Sequence, residues 1–209
     1  MKPLLIIKID NMLKYFIILI SIALSFIFCS EVIPSQNYDK WIMLNDDDIK
    51  VGWTTYNNTQ WCRAKSTLPN NINEISTIVE HKINYPKVFK RVESVNIIND
   101  KLVHIILDMP FPFYGRDYIV SYDQFKEKNN LLYRFKAVEN STFPPHRDYV
   151  RLINAAGEWH LKPINANSTE VTYSWNGELL GDFPDYLLTQ AWKTQGVEVL
   201  TWLKEALNK

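Results

Sequence analysis

Between residues 94 and 178 the apolar positions alternate with polar ones at a period of two, the signature of half-buried strands. Segments 94–98, 101–108, 116–125, 131–139, 148–154, 158–163 and 169–178 read as strands. Asn99-Asp100, Asn129-Asn130, Ala156-Gly157 and residues 165–167 read as the turns between them. Upstream, segments 49–56 and 60–68 flank Asn57-Asn58-Thr59 as a hairpin. Strand after strand without intervening helices predicts one antiparallel meander. The alternation also sorts the faces. Leu131, Tyr133, Phe135 and Ala137 oppose Leu132, Arg134, Lys136 and Val138; Trp159 and Leu161 oppose Glu158, His160 and Lys162; Val171, Tyr173 and Trp175 oppose Thr172, Ser174 and Asn176. One face is apolar and aromatic and the other wet, as in a sheet that curls around a single interior.

Helical spacing replaces this pattern in four places. Residues 40–44 read as a short helix ending in the acidic cluster Asp46, Asp47 and Asp48. Asn71 or Asn73 caps a helix that carries Ile75, Ile78, Val79 and Lys82 on one side. Pro86 interrupts, and a second short helix covers residues 87–92. The chain closes with a helix over residues 183–207, entered through Gly181-Asp182 with Pro184 near its first turn. Its apolar positions include Tyr186, Leu187, Ala191, Trp192, Val199, Leu200 and Leu203, and Gly196 sits midway, where the helix can bend. A sheet with one greasy face followed by a long amphipathic helix predicts an α+β fold with that helix on the greasy face or across its open end.

One stretch breaks both patterns. Residues 107–122 read LDMPFPFYGRDYIVSY. Pro110 and Pro112 forbid ladder bonding, and Gly115 is a turning point before the strand resumes. Between them Phe111, Phe113 and Tyr114 supply more aromatic surface than a turn needs. Such a loop packs on a core or covers something apolar.

Composition narrows the function classes. The 209 residues suit one domain once the first 30 are set aside, and formal charge is zero overall. Residues 1–29 hold Lys2, Lys8 and Lys14 against Asp10, so the remainder carries 20 basic and 22 acidic groups. That balance offers no electrostatic footprint for nucleic acid. Lys14 precedes the apolar run 15–28 (YFIILISIALSFIF), which matches the basic and apolar parts of an export signal. Residues 1–30 therefore read as a signal peptide or a membrane or lipoprotein anchor, with cleavage after Ser25 or acylation of Cys29 as alternatives. The expected location is the periplasm, envelope or extracellular space. Cys62 is the other cysteine, and with Cys29 removed or lipidated it is left single, so no intramolecular disulfide framework is expected.

Catalytic and metal signatures are sparse. Asp46 to Asp48 lack the alternating spacing and distal Glu of a calcium loop. The four histidines (His81, His104, His146, His160) are scattered without zinc-ligand spacing, and no nucleophile elbow or phosphate loop occurs. His146 with Asp148 and Tyr149 is the one arrangement resembling an acid–base group, although Pro144 and Pro145 beside it suggest a strand-entry loop. No cofactor or metal is expected.

Three segments resemble START domains, the steroidogenic-acute-regulatory-related lipid-transfer fold. PFPFYGRDYIV (residues 110–120) is similar to that family's PxPxxxRDYV segment. YVRLINAAGEWHLKP (149–163) resembles its VR…W…P strand pair, and GELLGDFPDYLLTQ (177–190) its GGxxPxWLxN entry to the lid helix. The likeness runs in order from residue 41 to 207. It implies a helix-grip fold over residues 38–209, a curved antiparallel sheet wrapped around the C-terminal helix and enclosing a tunnel for one lipid. It implies a non-catalytic, monomeric lipid binder that touches membranes transiently, its lid formed by the loop 109–115 and the C-terminal helix. The implied lipid is a phospholipid, sterol or fatty acid. The implied wall and lid residues are Phe111, Phe113, Tyr114, Arg116, Tyr118 and Tyr133, with Arg151, Trp159, Tyr173, Trp175, Leu188 and Trp192. The chain departs from the phosphatidylcholine-transfer members: their phosphate-binding Arg–Asp pair falls on Pro86 and Lys90, and a choline-cage tryptophan falls near Ile105, whereas one cage tyrosine falls on Tyr118. Arg116 with Asp117 is either a head-group contact or a structural ion pair, and Arg151 a cavity anchor or a structural group. The rival readings are a helix-grip cyclase or hydrolase, and an envelope lipoprotein whose interior is filled by its own side chains.

Overall fold

The structure is a computed structural model, and it describes residues 33–139, 143–145, 148–181 and 183–208. The segment read as an export signal or anchor, with Cys29, and also His146, lie outside the described residues.

Strands β1 (Ile42–Asp46), β2 (Lys50–Tyr56) and β3 (Thr59–Leu68) form an antiparallel ribbon. The β2–β3 turn puts Asn57 and Asn58 at φ of 50° and 58°, a left-handed pair that Asn tolerates better than other side-chain-bearing residues and that matches strand twist. Helix α1 (Ile72–Glu80) follows, its first N–H groups bonded by Asn71 Oδ1 to Asn73 and Glu74 at 3.0 and 3.1 Å. Next come a short 3₁₀ turn and α2 (Tyr85–Val88), then β4 (Val92–Ile97), β5 (Leu102–Leu107), β6 (Gly115–Glu127), β7 (Asn130–Ala137), β8 (Tyr149–Arg151), β9 (Ala156–Asn165) and β10 (Ser168–Asn176). A 3₁₀ turn at Asp185–Leu187 leads into α3 (Leu188–Leu207).

The sheet has the order β1-β2-β3-β10-β9-β7-β6-β5-β4, with β8 pairing parallel to β6 off this path. This corrects the simple meander. After β3 the chain crosses to the far edge, begins again at β4, and returns so that β10 closes on β3. The reason lies in α1 and α2, which carry the chain across the concave side between the two edges.

Three local expectations also change. Residues 42–46 are strand and not helix, because Ile42 to Asp46 find ladder partners on β2. Pro86 opens α2 instead of separating two helices, since a first-turn residue needs no N–H. Residue 92 already belongs to β4. Glu158 and His160, expected on the wet face, are only 3% and 6% exposed. For Glu158 the cover is residues 34–41, which strap the outer face. Arg63 donates to the Pro34 and Ser35 carbonyls at 2.5 and 3.1 Å and lies 4.4 Å from the Trp41 ring, while Gln36 and Arg134 both bond Glu158. Burial pulls the Arg63 guanidinium down to about 10, partly offset by Glu158.

Helix α3 lies on the concave face, burying Trp192, Gly196, Leu200 and Leu203 at spacings of four, four and three. It runs unbroken through Gly196, so this glycine serves approach and not bending. A Cβ there would stand 2.9 Å from both Val51 methyls and 3.1 Å from the Trp175 ring. Gly196→Ala sets a helix-propensity gain of about 1 kcal/mol against an overpacking cost of about 1–3 kcal/mol. Net destabilisation, read as a lower thermal midpoint, is the expected outcome; a raised midpoint would mean that the helix is not seated this closely.

Candidate lipid cavity

Helix α3 does not fill the concavity completely, because the ring side chains of the sheet keep it off the central strands. A cavity of ≈300 Å³ remains, bounded by β6, β7, β9, β10, α2 and α3. Its inner wall carries Tyr118 and Tyr122 from β6, Trp159 from β9, and Tyr173 and Trp175 from β10. These rings pack on one another, with Trp159–Tyr173 centroids 4.3 Å apart and Tyr173–Trp175 5.1 Å. Tyr85 and Phe89 of α2 close the far side, Phe89 lying 5.9 Å from Trp159.

The mouth is made by two segments. One is the loop 109–114, where Met109, Pro110 and Phe113 face the cavity. The other is residues 177–187, where Leu179, Phe183 and Leu187 do. Phe113 and Phe183 meet at 4.6 Å between centroids. Beneath them Arg116, fully buried, donates to the carbonyls of Leu179 and Leu180 at 2.9 Å each and to that of Tyr114. One guanidinium thus joins both mouth segments. Leu180 and Gly181 adopt φ of 52° and 63°, and this tight reversal turns the segment toward Arg116. At the open side of α3, Arg91 grips Glu198 through two bonds of 2.6 and 2.9 Å, tying the helix to the edge of β4.

Of the residues expected here, Phe113, Arg116, Tyr118, Trp159, Tyr173 and Trp175 stand on the cavity wall. Phe111, 97% exposed, and Tyr114 lie on the outside of the mouth loop. Tyr133, Arg151, Leu188 and Trp192 do not reach the cavity. Tyr133 lies under α1, its hydroxyl on Glu80 at 2.6 Å. Trp192 turns toward Trp53 and donates to the Gly177 carbonyl at 2.7 Å, fixing where the second mouth segment begins. Leu188 packs at the margin of the core. Arg151 is structural: it binds Asp117 at 2.9 and 2.6 Å and the Phe143 carbonyl at 3.0 Å. Asp117 also accepts from His104 at 2.9 Å. The Arg116–Asp117 pairing is thereby corrected, since neighbours on a strand point to opposite faces. Burial alone would raise the Asp117 carboxyl, but Arg151 and His104 outweigh it and hold it below the usual range.

Sequence reasoning missed Tyr85, Phe89, Tyr122, Arg91 and Glu198. Tyr122 was legible as the strand neighbour of Tyr118 two pleats on, and Tyr85 with Phe89 as a pair one helical turn apart. Arg91–Glu198 had no local signal, being 107 residues apart. The resemblance pointed one residue away, to Lys90, which lies outside and pairs with Glu205 at 3.2 Å. His81, His104 and His160 do not line the cavity. Among the described residues no three potential metal ligands cluster, and no helix is long and apolar enough to cross a membrane.

No family model matches the chain. A curated but uncharacterised protein of Pseudomonas aeruginosa is 28% identical over 103 residues, 49% of this chain. The chain matches about half, 51%, of that relative's length. Solved structures give a fuller match. A STAR-related lipid transfer protein from Xanthomonas axonopodis superposes with a TM-score of 0.72 at 21% identity, covering 82% of this chain and all of that fragment. Human StAR-related lipid transfer protein 5 gives 0.75 at 16% identity, covering 83% and 88%. The Zhui aromatase/cyclase from a Streptomyces species gives 0.51 at 15%, covering 71% and 93%. The architecture is therefore the α+β helix-grip fold. Within that class, it is the fold of START domains.

Two outcomes are expected of this site. Arg116→Lys removes the fork that spans two segments, leaving buried carbonyls unmet at about 1–3 kcal/mol. Amide exchange should then quicken in residues 109–115 and 177–187 more than in the central strands; unchanged exchange there would show that the two segments hold without it. Because Asp117 titrates lower folded than unfolded, its contribution is present above its ordinary value of about 3.9 and is lost as pH falls. Arg151→Met should therefore shift the acid-unfolding midpoint, followed by circular dichroism, upward by roughly half a pH unit or more.

Proposed function

We propose that this chain binds a single hydrophobic lipid in the cavity between sheet and α3, without catalysis, and transfers it between membranes. One observation carries the reading: an aromatic-walled cavity of ≈300 Å³ is closed by two thin segments whose outer surfaces present Phe111, Tyr114 and Tyr186 to solvent. An apolar interior of that size has no use in packing, since proteins fill such space when stability alone is served. The transfer proteins that share its fold carry the same function in their names. Desolvation supplies the affinity, about 25 cal/mol for each Å² of lipid surface removed from water.

Opening takes place at the bilayer. Phe111 and Tyr186 are 97% and 81% exposed on the two segments joined through Arg116, so contact with lipid at either is transmitted to both. On this proposal the N-terminal 30 residues serve as an export signal or anchor, and the domain acts as a monomer at the cell envelope.

Phe111→Ser with Tyr186→Ser leaves every internal contact described above intact. Transfer between labelled vesicles should fall at least tenfold, because two aromatic side chains inserted in the interface each contribute more than the roughly 1.4 kcal/mol that a tenfold change needs. Thermal stability should stay close to the parent's. If protein purified from its own host carries no lipid by native mass spectrometry and extracts none from mixed vesicles, the reading is wrong.

A further inference from the structure

The cavity's size and charge select among lipids, and the inference that follows rests on the lipid-binding reading. Its ≈300 Å³ lies at the lower limit of ordinary ligand pockets. It is about twice the apolar cavity that accepts one benzene ring, which corresponds to roughly a dozen carbon atoms. One short chain fits that space and two do not.

The charges of the wall stand at its margin and are already matched. Arg91 is held by Glu198, and Arg116 by backbone carbonyls. Asp108, Glu178 and Glu198 also line the cavity, so its carboxylates outnumber its two guanidiniums. Lys82 lies on the face of Tyr122, 4.3 Å from its ring, and does not line the cavity. An anionic head group entering this space would lose its water and find a surplus of negative charge, so burial disfavours it.

Uncharged polar groups are what the interior offers. Tyr118 lies three residues inside the lid end of β6 and Tyr173 four residues before Gly177, which places them roughly 10 and 13 Å along their strands from the mouth. Both keep accessible surface although they sit on the inner face of central strands, because that surface is the cavity wall. Neither hydroxyl has a protein hydrogen-bond partner among the described residues, whereas Tyr85 of the same cluster donates to the Val79 carbonyl at 2.7 Å. Burial raises the Tyr118 and Tyr173 phenols, which therefore stay neutral at physiological pH and can both donate and accept.

We infer that the ligand is an uncharged single-chain lipid with a hydroxyl or carbonyl head, held head-inward by the Tyr118 and Tyr173 hydroxyls with its chain toward the mouth. A fatty alcohol or a monoacylglycerol has this chemistry. A fatty-acid anion or a two-chain phospholipid does not.

The test compares dodecanol, dodecane, dodecanoate and dilauroyl phosphatidylcholine as competitors of a fluorescent lipid on the delipidated full chain at pH 7.4. Dodecanol should bind at least tenfold more tightly than dodecanoate. The double variant Tyr118→Phe, Tyr173→Phe should weaken dodecanol about tenfold while leaving dodecane unchanged, since only the hydroxyl contacts are lost. The dodecane arm reports on whether the variant's cavity is intact, and the wild-type ranking stands without the variant. Dodecanoate or the phospholipid binding as tightly as dodecanol, or a variant that discriminates as the parent does, overturns the inference and leaves the lipid-binding reading in place. Failure of all four probes, together with failure to carry any host lipid, overturns both.

Discussion

A single buried guanidinium connects the two segments that border the cavity mouth. Arg116 reaches Leu179, Leu180 and Tyr114, and through those carbonyls it binds the loop after β5 to the segment before α3. Phe113 and Phe183 add a ring contact between the same two segments. A charge so deeply placed is tolerated because its bonds are made to carbonyls whose own hydrogen-bonding needs it also satisfies. The two sides of the mouth are therefore coupled through one side chain.

That mouth exists because of a mismatch between sheet and helix. The concave face carries Trp159, Tyr173 and Trp175 in a stack, and rings of that size hold α3 away from the middle strands. At Gly196 the reverse is true: absence of a side chain lets the helix touch Val51 and Trp175. The helix is thus pinned near β2 and held off over β6 and β9, and the wedge between is the cavity. On the convex side, Arg63 and Glu158 are covered by residues 34–41, so charge that looks solvated in a strand pattern is built into the sheet's outer layer.

Polar networks divide between the two faces in the same orderly way. Asp117, Arg151 and His104 gather on the outside of β5, β6 and β8, where they stabilise the strand pairing and the approach of residue 143. Arg116, their immediate neighbour in sequence, points inward. The three histidines that the structure describes, His81, His104 and His160, stay away from the cavity, whose uncharged polar lining is made of tyrosines with Asn176, Gln190, Thr194 and Gln195.

Much of this was legible in the amino-acid pattern. Alternation located the strands of the β6–β10 region and named the inner-face rings Trp159, Tyr173 and Trp175, because side-chain direction in a strand depends on local period alone; Tyr118 came from the family resemblance. Asn57-Asn58, Asn71 and Pro110 to Gly115 likewise act through backbone chemistry that a short window contains. The contributions of Arg151, Tyr133 and Trp192 were not legible, because each turns on a partner far away in sequence: Asp117, Glu80 and Gly177. The order of strands, the strap over Arg63 and the clasp between Arg91 and Glu198 are likewise tertiary facts. Period and propensity decide which way a side chain faces; what it meets there depends on how the chain returns, and that is decided only when the sheet closes from β3 onto β10 around the last helix.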